Sequence, residues 1–151
     1  MSLVYLGLGT NLGDKERNLE NALTTLSLEV GKILRQSSYY VSKPWGFDSI
    51  NEFLNVVVLV ETNLPPFDLL GKTQEIERKL GRTIKTSEDY TDRLIDIDIL
   101  LYDNLIIDQP TLKIPHPLMT ERDFVLIPLS EISPKLVHPV FGKNIVDLLH
   151  L

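Results

Sequence analysis

The sequence predicts an α+β fold: strands and helices in the order β-α-β-β-α-β, an antiparallel sheet with helices on one face, then a C-terminal hairpin and helix extension. Three observations predict it. Short β-rich runs recur between Gly, Pro, Asn and Asp clusters, and two stretches with apolar residues at helical spacing fall after the first and third of them. The third observation is the absence of repeats, linkers or low-complexity segments, which makes 1–151 a single domain with length enough for a hydrophobic core.

Leu3–Gly9 alternates and forms the first strand. It runs into Gly7-Leu8-Gly9-Thr10-Asn11-Leu12-Gly13-Asp14, which matches neither common phosphate-loop pattern, so a tight turn with glycines at unusual backbone angles is expected. Asp14 is placed to cap a helix over about Lys15–Leu28, whose Leu19, Ala22, Leu23 and Leu26 make the buried stripe. Ile33–Ser42 is the second strand and Phe53–Thr62 the third, the latter with the unbroken apolar run Val56–Val60. Between them, Lys43–Glu52 is long for a hairpin connection and holds the only tryptophan, Trp45. Trp45 and Phe47 either pin this loop to the core or belong to a binding site.

Pro65-Pro66 opens a second helix and Gly81 closes it, with Leu69, Leu70, Thr73, Ile76 and Leu80 buried and Gln74, Glu77, Arg78 and Lys79 largely off that stripe. The polar stretch Gly81–Asp92 shows no periodicity and reads as a flexible loop. Arg93–Asp103 is the fourth strand, which completes a ferredoxin-like plan. After it, Asn104–Ile107 and Leu112–Ile114 suggest a hairpin, Asp123–Ile132 a helix, and the tail finishes near Ile145–Leu151.

The fourth strand carries the chemistry. Strand alternation puts Asp96 and Asp98 on one face, with Leu94 and Leu100, and their Cα atoms roughly 6.5–7 Å apart. Two carboxylates among Ile and Leu are costly to bury, since each raises the other's pKa. Hard divalent cations remove that cost, because Mg²⁺ favours one or two carboxylates completed by water and phosphate oxygens. The alternative, a solvated edge-strand face, fits poorly with the leucines there. Lys72, Arg78, Lys79, Arg82, Lys85 and Arg93, six of fifteen basic residues, lead into this strand and suggest a small polyanion held with metal.

Composition narrows the classes. Hydrophobic residues are 43% and charged residues 24%, ordinary for a globular protein. A net charge of −6 argues against general nucleic-acid binding. With no cysteine, disulfides, thiolate zinc sites and cysteine nucleophiles are excluded. Neither a signal peptide nor a transmembrane run is visible, so a cytoplasmic protein without membrane contact is expected, and the lack of a coiled coil or long apolar edge suggests a monomer.

Five separated blocks together resemble the 6-hydroxymethyl-7,8-dihydropterin pyrophosphokinase family over essentially the whole chain. Gly7–Asp14 resembles the family's Gly-Ser-Asn-Leu-Gly-Asp, with Thr10 for serine. Ser42-Lys43-Pro44-Trp45-Gly46, followed by Phe53-Leu54-Asn55, resembles its pterin loop and next strand. Gln74-x-x-Glu77 with Leu80-Gly81-Arg82 resembles its second helix and exit. The most specific block is Arg93-x-x-Asp96-x-Asp98-Ile99-Leu100-Leu101-Tyr102, and Pro115-His116-Pro117-x-Met119-x-x-Arg122-x-Phe124-Val125-Leu126-x-Pro128-Leu129 completes the set.

The resemblance implies transfer of the β,γ-diphosphate of ATP to the 6-hydroxymethyl group of the dihydropterin, with release of AMP. It implies two Mg²⁺ ions on Asp96 and Asp98, one bridging the α- and β-phosphates and one the β- and γ-phosphates, the second also contacting the attacking hydroxyl. Arg82 and Arg93 join the two aspartates as catalytic residues. Around ATP it gathers Gln74, Glu77, Arg82, Lys85, Arg93, the backbone of Ile99, Lys113, His116 and Arg122. Around the pterin it gathers Ser42, Lys43, Pro44, Trp45, Phe53, Asn55 and Phe124, with Phe124 and Trp45 sandwiching the ring and Asn55 reading its edge. Core packing is the alternative for Phe53 and Phe124, and a structural role for His116 between its prolines. The family's second arginine after the glycine and its Arg-Trp-Gly-Pro-Arg segment are missing. Tyr90 in Glu88-Asp89-Tyr90-Thr91-Asp92-Arg93 is the candidate lid in place of the tryptophan, and Lys85 the replacement charge. The rival classes are a two-metal nucleotidyltransferase and a non-catalytic ligand-binding domain of the same fold.

Overall fold

A computed structural model describes residues 1–44, 51–81 and 94–149. Its main sheet is antiparallel, in the order β2-β4-β1-β5, with β3 also pairing β4. In chain order the elements are β1 (Ser2–Thr10), α1 (Lys15–Glu29), β2 (Gly31–Gln36), β3 (Tyr40–Ser42), β4 (Phe53–Thr62), α2 (Pro66–Gly81) and β5 (Asp96–Tyr102). A separate hairpin of β6 (Ile107–Gln109) and β7 (Leu112–Ile114) follows, then α3 (Asp123–Ile132), with short 3₁₀ turns at Met119–Glu121 and Ile145–Leu148.

Two cores lie on opposite faces of the sheet. Val4, Leu6 and Leu8 of β1, Val56, Val58 and Val60 of β4, and Ile97 and Ile99 of β5 meet α1 and α2 through Leu19, Leu26, Leu69 and Ile76. The alternate residues Tyr5, Val57 and Leu59 meet Val125, Leu126 and Leu129 of α3. The two helices expected on one face, α1 and α2, share it, and α3 of the C-terminal extension, for which no face was expected, covers the second. This coverage is why β4 has the unbroken run Val56–Val60, since a strand buried on both faces has no solvent side to keep polar.

Three boundaries also differ from expectation. The expected second strand is two: β2 and β3 are separated at Ser37–Tyr39, where Ser37 replaces the ladder by donating its N–H to Val57 O (2.9 Å) while its Oγ accepts from Val57 N (2.9 Å). The first strand continues to Thr10, so Gly7 and Gly9 lie inside β1, and within Gly7–Asp14 only Gly13 takes a positive φ, 69°. In β5 the register against β1 shifts between Tyr5 and Leu6, which places both Leu100 and Leu101 in the α3-side core. Leu100 thus shares the aspartates' face as expected. Leu94 precedes the strand, and its side chain approaches Gly13 and Gly81 instead.

The helices begin and end for local reasons. Asp14 caps α1, its Oδ1 accepting from Arg17 N at 3.2 Å, and Pro66 occupies the first position of α2, where a missing N–H costs nothing. Lys79 and Lys72 of α2 both reach Glu29 at the end of α1, at 2.8 and 3.6 Å, and tie the two helices together. Among the described residues no helix is long and apolar enough to cross a membrane.

Candidate active site

The strand register builds the floor of a cleft on the α3 face. Gly9 of β1 stands between Asn55 of β4 and Asp96 of β5, and Gly7 between Val57 and Asp98. Adjacent strands are about 4.8 Å apart, so Asn55 and the aspartates face one another across roughly 10 Å of glycine-surfaced sheet. The cleft encloses about 370 Å³ and is lined by Ser42, Lys43, Phe53, Asn55, Asp96, Asp98, His116, Arg122 and Phe124 among others.

On the β5 side, His116 is held at the strand's outer edge by its N–H donating to Leu100 O at 2.9 Å. Its Nδ1 accepts from Leu118 N at 3.2 Å, which leaves the Nε2 proton aimed at the cleft, 3.9 Å from Asp98 Oδ2. Burial, then the Arg122 guanidinium, pushes the His116 pKa down to about 4 against the opposing pull of Asp96, so the ring is a neutral donor at neutral pH. Arg122 at the start of α3 is only 7% exposed, with Nη1 3.7 Å from Asp98 Oδ2 and its guanidinium 5.5 Å above the Phe124 ring. A buried guanidinium beside a carboxylate and an aromatic face offers a fixed anion fork.

Asp96 has a second carboxyl neighbour. Glu77 of α2 turns away from solvent, and its Oε2 accepts from Ile97 N at 2.7 Å, satisfying an N–H on the unpaired edge of β5. Burial first, then the Asp96 charge, pushes the Glu77 pKa up to about 8, and the two carboxyls share a hydrogen bond. Excess negative charge here is held in check by a proton in the metal-free protein. Among the described residues no group of three or more His, Cys, Asp or Glu side chains forms a complete cation cage. The donor set is instead the one that suits Mg²⁺, two partly exposed carboxylates at a cleft with space for water and phosphate oxygens.

On the β4 side, Asn55 is 4% exposed and its Nδ2 donates to Tyr40 O (2.9 Å) and Ser42 Oγ (2.8 Å). A backbone carbonyl only accepts, so the amide orientation is fixed and Asn55 offers the cleft its Oδ1 alone. This narrows the expected donor-and-acceptor reading of Asn55 to an acceptor.

The cleft therefore brings together nine of the residues singled out from the sequence. Pro44, Gln74, Glu77, Ile99 and Lys113 do not line it. Gln74 is exposed on α2, Ile99 is in the α1- and α2-side core, and Lys113 pairs with Asp108 across the β6–β7 hairpin. Trp45, Arg82, Lys85, Tyr90 and Arg93 lie outside the described residues. Sequence reasoning missed Gly7 and Gly9 as cleft-lining residues. The available signal was a glycine pair inside a strand, which marks close approach of another group.

Comparison with known proteins gives a consistent result. The family model described as 7,8-dihydro-6-hydroxymethylpterin-pyrophosphokinase matches residues 5–134. The chain is 50% identical over 141 residues to a 2-amino-4-hydroxy-6-hydroxymethyldihydropteridine pyrophosphokinase of Porphyromonas gingivalis, covering 92% of this chain and 95% of that one. To the Aquifex aeolicus protein of the same name it is 43% identical over 149 residues, covering 97% and 90%. The crystal structure of wild-type Plasmodium falciparum HPPK-DHPS superposes with a TM-score of 0.81 at 19% identity, a likeness of fold. That match covers 97% of this chain, which spans 44% of the Plasmodium chain.

Proposed function

The chain belongs to the 7,8-dihydro-6-hydroxymethylpterin-pyrophosphokinase family, enzymes of folate biosynthesis that use ATP, and on that premise we propose that the cleft between β4 and β5 is where the diphosphate is transferred. We read the strand order β2-β4-β1-β5 as a ferredoxin-like plan to which the α3 segment is added, a reading supported by α3 packing on the second face of the sheet. One observation carries the reading. A single cleft has a carboxylate pair with a neutral imidazole and a buried arginine on its β5 side, and an aromatic and amide lining on its β4 side.

The β5 side takes the triphosphate. Asp96 and Asp98 would hold two Mg²⁺ ions, which would supply neutralisation of phosphate charge and a lowered pKa for the attacking hydroxyl. Arg122 and the His116 Nε2–H donate to phosphate oxygens, and the imidazole stays neutral because a protonated ring would be buried beside a guanidinium. Glu77 fixes Asp96 through their shared hydrogen bond and holds the β5 edge at Ile97. Arg82, Lys85 and Arg93 would complete the phosphate contacts with Tyr90 as their lid, while Lys113, Gln74 and the Ile99 backbone, which do not line the cleft, would meet the part of the nucleotide that extends beyond it. The β4 side takes the pterin. Phe53 and Phe124 wall a flat ring with Trp45, Asn55 Oδ1 accepts from a ring N–H, and Ser42 and Lys43 border it, with Pro44 next in the chain but outside the cleft lining. In this reading the hydroxymethyl group would point across Gly9 toward the aspartates, along the row that the register of β4, β1 and β5 sets. The protein acts as a cytoplasmic monomer of one domain on these two small molecules, without nucleic acid or membrane.

Asp96→Asn and Asp98→Asn test this. Each keeps the side chain's size, so thermal stability should hold, while turnover should fall by about two orders of magnitude or more and the Mg²⁺ dependence should weaken. Wild-type turnover in both variants would remove the aspartates from the site.

A further inference from the structure

We infer that Gly9 is a positioning residue for the pterin, acting through Asn55; the inference rests on the reading that this cleft takes the pterin. Gly9 lies near the end of β1 but is still paired on both sides, with Asn55 and Asp96, and its φ is not positive, so its lack of a side chain is not required by any turn. What requires it is the neighbour across β4. A Cβ at Gly9 would stand 3.0 Å from Asn55 Oδ1 and 3.5 Å from Phe53 Cδ1. The second distance is ordinary contact, whereas the first forces the amide oxygen to move.

Asn55 cannot yield cheaply. Its Nδ2 is held by both Tyr40 O and Ser42 Oγ, and the side chain is 4% exposed, so turning the amide away from a methyl strains or breaks two bonds in a buried place. Its Oδ1 is the atom that faces the pterin in the reading above. Gly9 therefore sets where that acceptor sits, in the same cross-strand row that ends at Asp96. A methyl at Gly9 would misplace the acceptor while leaving the phosphate side untouched.

The other glycines among the described residues do not share this geometry. The nearest atoms to a Cβ at Gly7 would be Leu100 side-chain carbons at 3.4–3.6 Å, and one at Gly71 on α2 would meet nothing within 4 Å. Gly71→Ala is thus the control for an added methyl remote from the cleft.

The test is steady-state kinetics of Gly9→Ala, Asn55→Ala, the double variant and Gly71→Ala, with Mg²⁺, ATP and 6-hydroxymethyl-7,8-dihydropterin. Gly9→Ala should lower kcat/KM for the pterin at least tenfold, with KM for ATP at saturating pterin within twofold of wild type. In the Asn55→Ala background the same methyl should change kcat/KM for the pterin by less than twofold, because the atom it displaces is gone. Gly71→Ala should match wild type. A folded Gly9→Ala with kcat/KM within twofold of wild type overturns the inference, and so does an equal loss in both backgrounds. If Gly9→Ala alone fails to fold, the double variant decides: folding with the kinetics of Asn55→Ala supports the clash with Asn55, and failure to fold refutes it. Wild-type protein that turns over ATP but not the pterin would refute the pterin reading itself, which is a separate outcome from any of these.

Discussion

Asp98 Oδ2 has His116 Nε2 at 3.9 Å and Arg122 Nη1 at 3.7 Å, while Asp96 lies against the buried carboxyl of Glu77. The two aspartates are thus in unlike surroundings, one facing donors and one facing another acid. That asymmetry has a pH signature in the metal-free protein. Glu77 has a folded pKa of about 8, above its ordinary 4.5, so the folded state holds a proton the unfolded chain has lost, and stability falls as pH rises from about 4.5 through about 8. His116 works with the opposite slope: its folded pKa of about 4 lies below 6.5, so stability falls as pH drops from about 6.5 to about 4. The two slopes offset each other between about 4.5 and 6.5, and only the Glu77 slope remains above. Chelated protein should therefore lose up to about 2 kcal/mol between pH 6.5 and 8, and Glu77→Gln should remove most of that loss, read by denaturant titration at both pH values. A slope that survives Glu77→Gln would place the titrating group elsewhere.

At the scale of elements, the break between β2 and β3 shows how one side chain can stand in for a strand. Ser37 Oγ accepts the Val57 N–H and donates to Ser38 O, at 2.9 Å each, inside the core. Ser37→Ala leaves the buried Val57 N–H without that acceptor, and should cost about 1–3 kcal/mol in denaturant unfolding. Turnover at a temperature where the variant stays folded should be little changed, since Ser37 does not line the cleft. The close packing of β2 on β4 sets a harder limit at Gly31, where a Cβ would fall 2.0 Å from Glu61 O, a backbone atom; Gly31→Ala should destabilise by several-fold more than a surface substitution. Gly71→Ala on the open face of α2 should instead stabilise by about 0.5–1 kcal/mol, measured as a raised Tm. Together these three variants separate ladder repair, strand contact and helix propensity as causes.

For the molecule as a whole, the order of elements was legible because each strand and helix carries its own period: the stripe Leu19, Ala22, Leu23, Leu26 and the alternation about Asp96 and Asp98 are local patterns. Less legible was the placement of α3. The apolar run Val56–Val60 was noted without its consequence, that a strand with no polar alternation is covered on both faces, and periodicity does not say which later segment supplies the cover. The interruption at Ser37 was invisible because a serine between two β-rich runs has no distinctive period, and its effect depends on a partner twenty residues away. In the cleft, residues drawn from three strands and α3, such as Asn55, Asp96 and Phe124, were found as separate motifs, and only the register puts them round one cavity. The inward turn of Glu77 was missed for a related reason: the polar residues grouped with it, Gln74, Arg78 and Lys79, are exposed, and the Ile97 N–H on the outer edge of β5 is what draws it in. The most direct test of the account is product analysis with Mg²⁺, ATP and 6-hydroxymethyl-7,8-dihydropterin, on wild type beside Asp98→Ala. AMP formed in step with the pterin diphosphate, and abolished in the variant, is the predicted result. Formation of ADP, or AMP and pterin diphosphate from Asp98→Ala at the wild-type rate, would contradict it.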